Sequence, residues 1–190
     1  HHGVFRNVVN TALNVNEREW SARFISGHRR RISPDAYAEA AYLQNMAMLY
    51  FHQGDYRKAQ EYLMQSNPVD VYYKLADRSL LARIYFGLRE SEALDNLLNA
   101  FAKFVFDQQK KIAAPKVRSY RTFINGLRQL HSLIQAAPSL YAQWSRRQPA
   151  RDAADRESIA RFTVEMAAMP VFYGQKWLLE KMKELSGPEV

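Results

Sequence analysis

The 190-residue sequence contains no cysteine and only seven glycines and seven prolines. The absence of cysteine excludes disulfides, thiolate metal sites and a cysteine nucleophile, and it fits a reducing compartment. We therefore expect a cytoplasmic protein. No apolar run approaches the roughly 20 residues of a membrane-spanning helix. A glycine-rich phosphate loop and a GxSxG nucleophile elbow are also absent, which argues against nucleotide chemistry and serine hydrolysis.

Histidines and acid pairs provide no arrangement suited to catalysis. His28, His52 and His131 form neither an HExxH motif nor a pair at helical spacing, so the sequence predicts no metal site. The pairs Glu17–Glu19 and Glu90–Glu92 lie near predicted helix N-termini, where carboxylates are stabilising for electrostatic reasons alone. We expect no catalytic residue, no metal and no cofactor, and therefore not an enzyme.

The residues that are present favour helices. Hydrophobic residues make up 47% of the chain, and the glycines and prolines cluster at predicted helix ends, which indicates an all-α globular fold. Phe5 to Leu13 forms an amphipathic stripe, and Asn16 with Glu19 resembles a capping box that opens the next helix. Ser33-Pro34-Asp35 predicts another helix start. The polar stretch from Ser145 to Glu157 is interpreted as a loop or a frayed helix end.

The segment from Leu43 to Leu63 predicts two helices joined by a tight turn. Gly54 is placed to end the first helix in a left-handed conformation, and Asp55 is placed to cap the second. A weaker copy follows, with Arg89 at the position of Gly54 and a turn that is predicted to be one residue shorter. Tyr50 and Tyr85 are 35 residues apart, and Ala59 and Ala93 are 34 apart, close to the roughly 34-residue period of tetratricopeptide repeats.

These two copies resemble tetratricopeptide repeats. The segments Asp70–Leu75 and Leu80–Tyr85 further resemble a family of uncharacterised bacterial helical-repeat proteins, of which this chain would be the C-terminal part. The resemblance implies antiparallel helix pairs stacked as a tetratricopeptide-like α-solenoid with atypical C-terminal capping helices. An ordinary helical bundle is the alternative. Residues 1–3 resemble a tag remnant, and one domain over 4–190 would contain units at 5–31, 33–67, 72–110 and 115–146 and capping helices at 157–187.

The resemblance also implies where a partner would bind. In such arrays the first helix of each pair lines a concave groove, and this surface would be mixed apolar and cationic, suited to an acidic protein or peptide. Phe51 and Phe86 are equally suited to the core. Gln44 and Met48 replace the lysine and asparagine of the family's carboxylate clamp. The predicted groove residues are Gln44, Met48, Phe51, Ser79, Arg83, Phe86, Arg121, Asn125 and Arg128.

The formal charge of +8 supports an alternative function. A basic helical surface could bind nucleic acid through phosphate contacts. The favoured hypothesis is a non-catalytic protein-interaction scaffold, with nucleic-acid binding second and an enzyme third. The sequence leaves the partner and the oligomeric state open, although exposed tryptophan and phenylalanine would also suit self-association.

Overall fold

The computed structural model describes residues 2–29, 36–146 and 153–186, and over these ranges the fold is all-α. The all-α prediction is confirmed. A short 3₁₀ turn, Gln109–Lys111, follows the sixth helix. The helices in the described ranges are α1 (His2–Asn14), α2 (Arg18–Arg29), α3 (Ala36–Gln53), α4 (Tyr56–Met64), α5 (Val71–Leu88), α6 (Ser91–Gln108), α7 (Ala114–Ala136), α8 (Pro138–Arg146), α9 (Ala153–Ala168) and α10 (Gln175–Ser186).

The chain divides into two compact units, residues 1–97 and residues 98–190. The division falls inside α6, so the first turns of α6 belong to the first unit and the remainder to the second. Each unit has its own buried apolar side chains.

The first unit is organised around α3. This helix packs against α1, α2, α4 and α5, while α1 also packs against α2 and α5 also packs against α4. Apolar side chains from α1, α2 and α3 meet in one cluster, and burying each large aliphatic side chain contributes roughly 1.5 to 3 kcal/mol. Its buried members are Phe5, Val9, Leu13, Ile25, Ala41 and Leu49.

Three turns in the first unit share one backbone conformation. Each contains a residue with positive φ: Asn16 at 65°, Gly54 at 81° and Arg89 at 63°. At each turn this residue's amide donates to the carbonyl three residues earlier, and the next amide donates to the carbonyl five residues earlier, with N–O distances from 2.9 to 3.3 Å. This pair of hydrogen bonds is the Schellman motif, which satisfies carbonyls at a helix end. We call these the three left-handed turns.

Two sequence expectations about these turns are wrong. Asn16 does not cap α2; its positive φ and its bond to Leu13 place it at the end of α1, where asparagine tolerates the left-handed region better than most residues. The turn at Arg89 is not shorter than that at Gly54, because two residues separate the helices in both cases. Leu94 rather than Ala93 therefore corresponds to Ala59, and both Leu94 and Ala59 are fully buried.

Aspartates begin α4 and α5. The Asp55 carboxylate accepts a hydrogen bond from the Lys58 amide, which confirms its predicted role as N-cap. Asp70 accepts from the amides of Tyr72 and Tyr73 at 2.8 and 3.2 Å. Residues 71–73 consequently form the first turn of α5.

The second unit is built on α7. Helices α8, α9 and α10 all pack against it, and α10 also packs against α8 and α9. Gly126 permits this close approach, because a Cβ atom there would lie 2.8 Å from Met166 Cε and 2.9 Å from Leu178 Cδ2. The connection to α10 is anchored by the Tyr173 amide, which donates to Ser119 Oγ at 2.7 Å.

Residues 153–157, predicted as a loop or a frayed end, form the first turn of α9. Asp155 in this turn accepts a short hydrogen bond from Ser139 Oγ, which ties α9 to α8. Residues 147–152 of the same polar stretch and the predicted helix start at Ser33-Pro34-Asp35 lie outside the described residues.

Candidate functional site

The predicted groove positions of the first unit lie mostly in its interior. Gln44, Phe51, Ser79, Arg83 and Phe86 are buried, and Met48 is partly buried against the α1–α2–α3 cluster. For the positions on α3 the physical reason is that α3 contacts four other helices and carries buried side chains around its circumference, as expected of a central helix. The other three positions lie on α5, which packs against both α3 and α4. Contact with a partner at these positions stays a prediction, but these five side chains do not form an open surface in this structure.

The polar side chains at these predicted groove positions have hydrogen-bond partners inside the first unit. The Gln44 amide nitrogen makes a short hydrogen bond to Asp77 Oδ1, and Ser66 Oγ donates to Asp77 Oδ2 at 2.8 Å. Ser79 Oγ donates to the Leu75 carbonyl at 2.8 Å. Burial raises the pKa of Asp77, although the Gln44 and Ser66 hydrogen bonds oppose this shift. The Gln44–Asp77–Ser66 network therefore links α3, the segment that follows α4, and α5.

Arg83 is held against Phe51. Its guanidinium carbon lies 5.2 Å from the centroid of the Phe51 ring, a distance suited to a cation–π interaction. Arg83 Nε also donates to the Ser79 carbonyl at 3.3 Å. His52 follows in the sequence and is partly buried. Burial lowers the pKa of His52 to about 4, and the positive charges of Arg83 and Arg18 act in the same direction.

The predicted positions on α7 lie at the surface of the second unit. Arg121 and Asn125 are exposed, and Arg128 is partly buried. Arg121 donates to Gln109 at 3.1 Å, and Arg128 donates to Asn99 at 3.1 Å. These side chains connect α7 to α6 and to the 3₁₀ turn after it. They are accessible, and the hydrogen bonds just described are internal to the second unit.

An exposed groove that was not predicted from the sequence lies along α1. It is apolar over most of its lining, has a volume of about 710 Å³ and is open to solvent. Val4, Val15 and Trp20 are 66%, 67% and 39% exposed, which leaves apolar area in contact with water. We call this surface the α1 groove; it is lined by Val4, Asn7, Val8, Thr11, Ala12, Val15, Glu17 and Trp20.

Helix α1 forms the groove because it carries two stripes. Phe5, Val9 and Leu13 face the buried cluster. Val4, Val8, Thr11 and Val15 follow a second line at spacings of three or four residues, which places them along one face of the helix. This second line was the available sequence signal, but its small side chains are ordinary on a solvent-exposed face.

Trp20 forms one wall of the groove and is held in place by an aromatic stack. Its ring lies 4.7 Å from that of Phe24, with an angle of 15° between the planes. The Phe24 ring lies 4.0 Å from the His28 ring, which in turn lies 5.3 Å from that of Phe5. The stack ties the groove wall to the interior, so the groove is a preformed surface.

Within the described ranges there is neither a metal-binding cluster nor a helix that could cross a membrane. No group of three or more His, Cys, Asp or Glu side chains there is placed to hold a metal ion. Over the same ranges, no helix has the length and hydropathy that crossing a bilayer would require. His131 is buried and stacks edge-on against Trp144, with ring centroids 5.6 Å apart, as expected of a structural histidine.

Comparisons with known proteins give no relative from which a role could be transferred. No protein-family model matches the sequence, and no curated protein or solved structure matches it either.

Proposed function

We propose that this chain is a non-catalytic scaffold that binds another protein through the α1 groove. The observation that carries the proposal is the exposure of Val4, Val15 and Trp20 around one preformed apolar groove. Apolar patches of this kind in soluble proteins mark interaction sites, because leaving them in water has a free-energy cost that a partner removes. Among the described residues that line the groove, Glu17 alone is charged, and this favours a largely apolar partner surface.

The scaffold is proposed to be a tetratricopeptide-like repeat array. Support comes from the three left-handed turns and from the packing of α3 against both α1 and α2, which is repeated where α5 packs against α3 and α4. In repeat proteins each helix pair contacts mainly its neighbours, and the α1 groove lies on a face of α1 that no helix of the described ranges covers. A cytoplasmic location and a bacterial tetratricopeptide-like identity are part of this proposal and rest on the sequence.

Affinity capture with the full chain tests the proposed function. The Thr11→Arg variant places a long charged side chain in the groove from an exposed position, while Val164→Arg introduces the same residue at an exposed position of α9. We expect protein bands that survive high salt and nuclease, that persist with Val164→Arg and that are lost with Thr11→Arg.

Nucleic-acid binding is the competing outcome. Phosphate contacts are weakened by salt because binding releases counterions. Capture that disappears with nuclease or at high salt, and that is unaffected by Thr11→Arg, would overturn the groove proposal and favour the basic surface.

A further inference from the structure

The three left-handed turns allow the helices that precede them to be aligned residue by residue, and we call this alignment the register. Asn16, Gly54 and Arg89 occupy the same position of the same hydrogen-bonded motif. Residues equally distant from these three positions are therefore equivalent, whatever their identities. Val4, Val8 and Thr11 on α1 correspond in this register to Tyr42, Met46 and Leu49 on α3, and Asn7 corresponds to an identical residue, Asn45.

On α3 this equivalent face is covered. Leu49 is a buried member of the cluster formed with Phe5, Val9, Leu13 and Ile25, and Tyr42 and Met46 pack against that cluster. Asn45 is buried and donates to the Ala41 carbonyl at 2.7 Å. The face of α3 that corresponds to the α1 groove is thus the face that receives the α1–α2 helix pair.

The same face of α5 is also covered. The residues that correspond to Asn45 and Leu49 are Leu80 and Ile84, and both are fully buried. Asp77 corresponds to Tyr42 and receives hydrogen bonds from Gln44 on α3 and from Ser66 after α4. The preceding helix pair therefore covers this face on α5 as it does on α3, whereas on α1 no helix of the described ranges covers it.

We propose that the α1 groove is the acceptor face for a further helical hairpin, bound as α1–α2 is bound by α3. The occupant is a partner helix pair with a bulky apolar stripe of the kind that Phe5, Val9 and Leu13 form, and with a basic side chain opposite Glu17. This inference rests on the proposed function, because it specifies the partner of the same groove. It explains why the groove has the length of a helix face, because on α3 the equivalent residues from Tyr42 to Leu49 receive the α1–α2 pair along the helix.

The test uses the full chain with ¹³C-labelled methyl groups and, as probe, a synthetic peptide of residues 4–28, which carries this stripe. We expect methyl shifts at Val4, Val8, Thr11 and Val15, with little change at Ile25 and Leu49. Val8→Asp in the protein should weaken binding about tenfold or more, because a charge replaces an apolar contact. Thr11→Arg at an exposed position should do the same, and Val164→Asp should not.

Several outcomes would overturn the inference. Shifts confined to Ile25 and Leu49 would show that the peptide replaces the chain's own α1–α2 pair. Unchanged affinity of a peptide carrying Val9→Asp would show that the stripe is not recognised, and concentration-dependent self-association abolished by Thr11→Arg would identify a second copy as the occupant. If groove-dependent capture of a protein succeeds while the peptide fails, the proposed function stands and this inference fails; if both fail, so does the proposed function.

Discussion

The ring of Tyr56 lies against the backbone of Gly87 with no space for a side chain between them. A Cβ atom at Gly87 would lie 2.7 Å from Tyr56 Cε2 and 2.8 Å from Cδ2 and Cζ. Tyr56 begins α4 and Gly87 lies near the end of α5, so this contact fixes the approach of the second helix pair to the third.

We expect Gly87→Ala to lower the free energy of unfolding by about 1 to 2 kcal/mol, because overpacking against the Tyr56 ring exceeds the gain in helix propensity. Gly27→Ala is the matched control, since nothing lies within 4 Å of a Cβ atom there; it should raise stability by about 0.5 to 1 kcal/mol. Urea denaturation of both variants measures the difference. Equal stabilisation by the two substitutions would show that the Tyr56–Gly87 contact is not tight in solution.

Two substitutions in the left-handed turns should change the free energy of unfolding in opposite directions: Arg89→Gly should raise it and Gly54→Ala should lower it. Arg89 has a φ of 63°, so Arg89→Gly removes backbone strain and should raise the free energy of unfolding by about 0.5 to 1 kcal/mol. Gly54→Ala introduces strain at a φ of 81° and should lower it by about 1 kcal/mol. Thermal unfolding of the two variants tests this pair of signs. A stabilised Gly54→Ala variant would mean that this turn does not have the left-handed conformation.

Stability should fall in mild acid because of His52. Its pKa in the folded chain is about 4, below its ordinary value of 6.5, so the folded state favours the neutral ring. The contribution of neutral His52 to the free energy of unfolding is complete above pH 6.5 and is lost as the pH falls toward 4. After allowance for partial solvent exposure we expect a loss of about 1 to 2 kcal/mol over this range.

The measurement is urea denaturation at pH 7 and at pH 4.5 for the wild-type chain and for His52→Gln. The variant should lose less stability between these two pH values. His28→Gln serves as the control. The His28 ring stacks with Phe5 and Phe24, whereas the charge of Arg83 acts on His52. An identical loss in wild type and His52→Gln would assign the acid sensitivity to other groups.

The Asp77 carboxylate is expected to cost stability at neutral pH. Burial raises the pKa of Asp77, so the folded state favours the protonated carboxyl. The resulting gain in folding stability is present below the unfolded-state pKa and is lost as the pH rises through the folded-state pKa. Asp77→Asn keeps an acceptor for Gln44 and can donate to Ser66 Oγ. We expect equal or higher stability at pH 7, by up to about 1 kcal/mol.

Asp77→Leu distinguishes the charge from the hydrogen bonds. It leaves the buried Gln44 amide without its Asp77 partner, and this should cost about 2 kcal/mol. Chemical denaturation at pH 7 compares the two variants. If Asp77→Asn proves as destabilising as Asp77→Leu, the negative charge itself is required.

The sequence predicted the helices well because their start and stop signals are local. Gly54 and Asp55 act within a few residues of the chain, and both took their predicted conformations. The left-handed turns at Asn16 and Arg89 were missed because neither residue is glycine. Their conformation is determined by the backbone hydrogen bonds of the turn and the packing around it, which a residue-by-residue reading does not show.

The candidate site could not be predicted in the same way. Which face of α3 is open depends on how many helices surround it, and that number is a tertiary property. Gln44 and Arg83 are polar and were expected at a surface, but hydrogen bonds and a ring contact accommodate them inside. The α1 groove was not predicted because Val4, Val8 and Thr11 are each ordinary residues for an exposed helix position.

The enclosure of α3 by four helices has a consequence for how this protein can diverge. A substitution on α3 must be accommodated by neighbours on every side, so its sequence is expected to change slowly among related chains. The open face of α1 has no such restriction within the first unit. We therefore expect binding specificity to change through substitutions in the α1 groove, while the packing of α3 keeps the position of α1 unchanged.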